Sequence, residues 1–273
     1  MEKFNLREPA VAGQFYPAGA LELKSQIKGY LDLKSLKQDA IACVMPHAGF
    51  MYSGLVAGSV VSRINVPKHV VLLGPNHTGR GTPFSLVSSG SWKTPLGEVN
   101  IDSQLAEEIL SASPYLEEDS SAHLSEHSLE VELPFLQYLR QDFQIVPICV
   151  ASSDPQALKS VGLAVASAVN KLKLRGSTLI VASSDMTHYQ PQKEAEKKDK
   201  LAIEAILELN PDKLLERVSK FNISMCGFAP VTVMLCAAIA LGAKKAELVK
   251  YQTSGDVTQD FSSVVGYAGI IIN

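Results

Sequence analysis

The sequence predicts an α/β fold, a three-layer α/β/α sandwich around a mixed, mostly parallel sheet. Two observations carry this. Short aliphatic and β-branched runs alternate with longer helical segments along most of the chain, the pattern of helices packed on both faces of a sheet. Three of those runs also lead into a histidine: Val44-Met45-Pro46-His47, Leu72-Leu73-Gly74-Pro75-Asn76-His77, and Val181-Ala182-Ser183-Ser184-Asp185-Met186-Thr187-His188. Ligands of open α/β sheets bind at the carboxyl ends of the strands, so half of the six histidines are expected on one rim.

In chain order, a helix over Ala20–Leu31 precedes a strand over Ala40–Met45, and a helix over Ser53–Ile64 leads to a strand over His69–Leu73. Phe84–Ser88 is a further strand, and the segment from Phe84 to Ile101 has the look of a hairpin, which makes the sheet mixed. Helices follow over Ser103–Ala112 and His127–Arg140, then a strand over Gln144–Val150. Pro155–Leu174 is a helix with proline in its first turn. A strand over Ser177–Ala182 is followed by helices over Gln192–Leu207, Pro211–Lys220 and Pro230–Leu241, and strands over Glu247–Gln252 and Val264–Ile272 close the chain.

The 273 residues, 46% hydrophobic and 19% charged, suffice for one large core, and no repeat or Gly/Ser/Pro linker divides them, so a single domain over residues 1–273 is expected. A net charge of -3 argues against nucleic-acid and anionic-membrane partners, which need a basic patch. The amino terminus carries mixed charge without an apolar run, and the longest apolar stretches, such as Val231–Leu241, fall short of the ~20 residues that span a bilayer. A cytoplasmic protein is expected. Cys43, Cys149, Cys226 and Cys236 show no CxxC pairing, which argues against a disulfide framework.

His47 and His77 are each followed by small residues, in His47-Ala48-Gly49 and His77-Thr78-Gly79. Such residues let the backbone turn tightly at the strand end, which for His47 would aim the imidazole at solvent above the sheet. Two imidazoles on neighbouring strand ends begin a metal site. Three residues compete as the third ligand. Asp185 and His188 form Asp-x-x-His, which on a helical turn shares a face and lets carboxylate and imidazole serve one site or each other. Asp185 as a cap with His188 merely packed is the bland alternative. Cys226 lies just before the helix near Pro230, where a lowered thiol pKa suits a ligand or a reactive thiol. His127 opens a helix with Glu130 one turn on as a partner that orients its ring. The alternative for these two is a first turn whose acids complement the helix dipole.

Taken together, PHAGFMYSG, LGPNHTG, EHSLEVELPF, SSDMTHY, MCGFAP, YQTSGD and SVVGYAG, with REPAVAGQFYP at the amino terminus, resemble the Memo family, also called the AmmeMemoRadiSam system protein B family. The motifs cover nearly the whole chain in order. That family is similar to class III extradiol dioxygenases, whose non-haem iron is held by two histidines and a carboxylate at the strand ends of an α/β/α domain. The resemblance implies His47, His77 and Cys226 as metal ligands, Cys226 standing where the dioxygenases have glutamate. It also implies Asp185, His188 and His127 around the same pocket, with His188 placed for general acid or base work.

A thiolate in place of a carboxylate shifts preference toward copper or thiolate-tolerant iron, with zinc compatible, and makes cleavage of catechols doubtful because the sulfur is itself oxidisable. The residues after the cysteine, Phe228-Ala229, depart from the basic residues of eukaryotic members, so peptide-binding behaviour does not transfer. The family name implies an AMMECR1-type protein and a radical SAM protein as pathway partners. The expected function is a metal-binding, redox-related protein, and as an enzyme it would be a dioxygenase-like oxidoreductase. The alternative is a non-enzymatic peptide- or protein-binding module in the same cleft, lined by Phe50, Tyr52, Trp92 and Tyr189.

Overall fold

In the computed structural model, which describes residues 5–273, the predicted alternation is built around one sheet. Residues 1–4, where the reading of the amino terminus begins, lie outside the described residues. The elements run β1 (Leu6–Arg7), α1 (Ala20–Tyr30), β2 (Ala42–Met45), α2 (Phe50–Val61), β3 (His69–Pro75), β4 (Phe84–Leu86), β5 (Ser91–Thr94), β6 (Gly97–Ile101), α3 (Ser103–Ser111) and β7 (Glu117–Glu118). They continue with α4 (Leu133–Leu139), β8 (Gln144–Val150), α5 (Pro155–Lys171), β9 (Thr178–Ser183), β10 (His188–Gln190), α6 (Gln192–Leu207), α7 (Pro211–Lys220), α8 (Phe228–Ala240), β11 (Ala246–Thr253), α9 (Gly255–Thr258) and β12 (Val264–Ile272).

At the centre β8, β3, β9 and β2 stand side by side and parallel. Every residue of β2 and β9 is buried, because helices cover both faces, and this is why these strands read as unbroken aliphatic runs without alternation. Helices α1, α2 and α4 pack together on one face, while α3, α5 and α8 cover the other, extended by α7 and α6 toward β12. Antiparallel strands flank the parallel centre: β12 pairs β2 and β11 on one side, and β4 pairs the end of β8 on the other. The expected hairpin is narrower than the segment suggested, formed by β5 and β6 alone. No helix among the described residues is long and apolar enough to cross a membrane.

Two local expectations are corrected. The helix expected from His127 begins only at Leu133, with Pro134 in its first turn. The preceding residues are turns, since the Glu126 carboxylate takes the N–H groups of His127 and Ser128, so backbone donors go to a side chain and not to a helical ladder. Nor is Asp185–His188 a helical turn. Met186 N–H donates to the Gly266 carbonyl, Gly266 N–H donates to the Thr187 carbonyl, and His188 opens β10, paired with Val265 of β12. β1, β7 and β10 have two or three residues each, too few to show a period.

The amino-terminal segment is tied to the 120–132 stretch by a buried ion pair. Arg7 donates through Nη1 to Glu130 Oε2 at 2.7 Å, through Nε to the His123 carbonyl and through Nη2 to the Glu126 carbonyl. Its guanidinium lies 4.2 Å from the Trp92 ring centroid, a cation–π contact in a dry setting. Glu130 also accepts from Tyr16 Oη and from the N–H groups of Ala10 and Val11. Arg7→Met leaves the carboxylate of a residue with 0% exposure without its cation, and is expected to cost about 3–5 kcal/mol in urea unfolding.

His123 lies beneath this clamp, fully buried, with Nε2 donating to the Ser85 carbonyl at 3.1 Å. Burial pulls its ring from 6.5 down to about 4. Between pH 6.5 and 4 the unfolded chain takes up a proton that the folded chain refuses, so stability present above 6.5 is lost as pH falls through that window. His123→Gln keeps a donor for Ser85 without a titrating ring. Wild type is expected to lose about 3 kcal/mol more than this variant between pH 7 and 4, read from urea melts at both pH values.

Candidate metal centre

β2, β3 and β9 end at the same edge of the parallel centre, and the segments leaving them carry His47, His77 and Asp185. Cys226 arrives from the connection between α7 and α8. Gly227 permits that approach, for a Cβ there would collide with the Ser183 carbonyl and the Ser184 side chain. Gly74 does the same for the 127–129 stretch, where an added Cβ would meet Ser128 Oγ at 2.7 Å.

One donor atom each from His47, His77 and Cys226 lies within 4.8 Å of the others. Cys226 Sγ is 3.3 Å from His47 Nε2. Donors bound to one tetrahedral ion at roughly 2.0 to 2.3 Å stand about 3.6 Å apart, so the residues fit a shared ion with small adjustment. His127 joins them: its ring stacks on His77 at 4.7 Å between centroids and stands edge-on to His47 at 5.5 Å. Phe15 packs against the His127 ring, 4.8 Å between centroids. His47 does not face open solvent as its sequence context suggested. It is 2% exposed, because the 120–132 stretch and the amino-terminal segment roof the rim.

Sequence reasoning missed Glu126. Its Oε1 accepts from His77 Nδ1 at 2.9 Å, and its other oxygen accepts from the His77 backbone N–H. A carboxylate on Nδ1 leaves Nε2 as the ligand atom and strengthens it as a donor. Glu130, expected to orient His127, is committed to Arg7 and Tyr16, and Glu126 lies nearer, 3.5 Å from His127 Nδ1. His77, Glu126 and His127 form a second group with donors within 4.8 Å, but Glu126 Oε1 already accepts from His77, His127 and Ser128. EHSLEVE gave no separate signal for Glu126, because an acid next to His127 at helical spacing from Glu130 reads as part of a solvated first turn.

The electrostatics follow from burial and neighbours. Burial drives the His47 ring well below its ordinary value, with His77 and His127 adding to it. Burial also pushes His77 down, but the hydrogen bond and charge of Glu126, with Asp185 behind, outweigh it and leave the ring raised. Glu126 responds in kind: burial opposes its ionisation, the His77 contact and backbone N–H groups overcome that, and it falls to about 2. Cys226, expected to have a lowered pKa, has a raised one, since burial and then Asp185 disfavour the thiolate. The helix terminus is outweighed by the low dielectric of the site and the negative charge of Asp185.

Asp185 serves the site through its backbone as well as its carboxylate. Oδ1 accepts from the His47 N–H at 2.9 Å, and its own N–H donates to Cys226 Sγ at 3.2 Å. Burial lifts its carboxyl to about 6, against the pull of His188. His188 donates Nδ1–H to the Ser224 carbonyl at 2.9 Å, which leaves Nε2 free to accept a proton. Of the four aromatics proposed to line a groove, Phe50 and Trp92 are 1% exposed and belong to the core, whereas Tyr189 is 77% exposed.

Residues 7–271 match the family model described as Memo-like protein. The chain is 43% identical over 279 residues to a MEMO1 family protein of Methanopyrus kandleri, covering 97% of this chain and 98% of that protein. It is 46% identical over 270 residues to a MEMO1 family protein of Aquifex aeolicus, with the same coverage. A crystal structure of an uncharacterized protein from Escherichia coli K12 superposes with a TM-score of 0.58 at 12% identity, covering 84% of this chain and 98% of the other. That likeness is one of fold.

Glu126→Gln removes the charge behind His77 while keeping the side chain's shape. It is expected to weaken metal binding roughly 10–100-fold, measured by competition titration with a chromophoric chelator.

Proposed function

The chain belongs to the Memo-like protein family, and from that premise we propose that it is a redox-active metal protein whose single ion is held by His47, His77 and Cys226. What carries this reading is the convergence of two imidazoles and one thiol, from three separate segments, to within 4.8 Å. Iron or copper held there would supply a one-electron couple and an open coordination position, the softness of the thiolate favouring these metals. Zinc is compatible with the same donors and would make the site hydrolytic.

The chain's own residues then divide the work. His47 and His77 present Nε2, each held by a hydrogen bond at Nδ1. Cys226 would hold such an ion as a thiolate, the ion's charge offsetting the burial that otherwise raises the thiol. Asp185 steadies the sulfur through its N–H and, with His188 Nε2 and His127, handles protons at the rim. A soft, oxidisable sulfur among the residues that would hold the ion argues against ring cleavage of catechols. The alternative, a cleft that holds a peptide without chemistry, is weakened by the burial of Phe50 and Trp92. An AMMECR1-type protein and a radical SAM protein are proposed as pathway partners on family resemblance alone.

Protein purified without chelators is expected to carry about one equivalent of iron or copper by elemental analysis, lost in a His47→Ala, His77→Ala double variant that still melts cooperatively. Unchanged metal content in that variant would sink the assignment.

A further inference from the structure

Ser183 ends β9 with its side chain fully buried and three polar neighbours. His47 Nδ1 is 2.8 Å from Ser183 Oγ, the Ser128 carbonyl 2.7 Å and Glu132 Oε1 2.8 Å. A hydroxyl has one hydrogen to give and two positions at which to accept. A backbone carbonyl only accepts, so satisfying all three contacts sends the Ser183 hydrogen to Ser128. The other two contacts must then be donated to Ser183, as Nδ1–H from His47 and as a carboxylic acid O–H from Glu132.

Glu132 bears out this count independently. Its side chain is fully buried, and Oε2 has no hydrogen-bond partner among the described residues. An ionised carboxylate with an empty oxygen in such a place is costly, whereas a neutral acid leaves only an uncharged carbonyl short of a donor. Burial raises its carboxyl well above the usual range, and the charge of Asp185 pushes the same way against the Ser183 bond. The other titratable group beside it is Cys43, itself held as a neutral thiol by burial.

We infer that Glu132 is a neutral carboxylic acid that acts through Ser183 to lock His47 in its Nδ1–H tautomer, keeping Nε2 toward Cys226 as the free ligand atom. Glu132 is thus a positioning residue one hydroxyl removed from the site. Its consequence for metal binding rests on the ligand assignment above, but the tautomer and the neutral acid belong to the metal-free protein.

Glutamine separates this from an ionised glutamate. Its amide is uncharged and donates to Ser183, so Glu132→Gln should preserve the network, whereas Glu132→Leu and Ser183→Ala should break it. In metal-free protein, histidine nitrogen NMR should show His47 protonated at Nδ1 in wild type and in Glu132→Gln, and a mixture of tautomers in Ser183→Ala. Infrared spectra of wild type at neutral pH should contain a carboxylic acid carbonyl band that Glu132→Gln removes, a readout indifferent to packing. With cobalt(II) as probe, affinity and the thiolate charge-transfer band should stay within about threefold of wild type in Glu132→Gln and fall roughly 10–100-fold in Ser183→Ala.

Loss of affinity in Glu132→Gln as large as in Glu132→Leu, absence of the acid band, or His47 protonated at Nε2 would each overturn the inference. Wild type that binds no cobalt would instead overturn the ligand assignment, and the NMR and infrared results would still decide the state of Glu132.

Discussion

Three carboxylates, Glu126, Glu130 and Glu132, are buried within seven residues that form no regular structure until α4 begins. A buried acid must be paired, hydrogen-bonded or neutral, and each of the three meets that demand differently. Glu130 takes Arg7 and the Tyr16 hydroxyl. Glu126 takes the His77 ring and three backbone N–H groups. Glu132 meets Ser183 alone. Because the partners lie on β1, after β3 and at the end of β9, meeting all three demands places the 120–132 stretch across the carboxyl edge of the sheet.

That placement makes the rim a pocket. Without the roof, His47 would stand at a strand end facing water, as His77 still does in part. Beneath it the His47 ring is buried, His127 stacks on His77, and Phe15 packs against His127. The low dielectric then acts against charge at three groups, raising Asp185 and Cys226 and lowering His47, whereas the mutual contact of His77 and Glu126 favours their charged forms. A site that resists a protonated His47 and a bare Cys226 thiolate alike gains from a cation that neutralises the sulfur and takes the His47 lone pair. The clamp at Arg7, some distance from the chemistry, therefore bears on the site through the backbone it holds.

The strands of the parallel centre were legible because burial on both faces turns them into continuous aliphatic runs, and β8 and β12 match their expected limits residue for residue. His47, His77 and Cys226 stood out because strand ends and small neighbours are local signals, and their convergence follows from the parallel register of β2, β9 and β3. The 127–132 stretch misled for the opposite reason. Its apolar and acidic residues sit at helical spacing, but Glu126 captures the backbone donors a helix would use, and that capture depends on His77, which is 49 residues away in sequence. His188 likewise follows a partner in β12, not its own neighbours.

By itself the sequence determined the layered fold, the edge at which the histidines gather and the family to which the chain belongs, since each is written in local periodicity or in motifs read along the chain. Only the tertiary structure decided which acid serves which ring, that Cys226 is a half-buried thiol with a raised pKa, and that Phe50 and Trp92 support the core. Pairing and burial are properties of residues distant in sequence. No window along the chain contains both partners of Arg7 and Glu130, or of Ser183 and Glu132, and only their meeting in space fixes how each is charged.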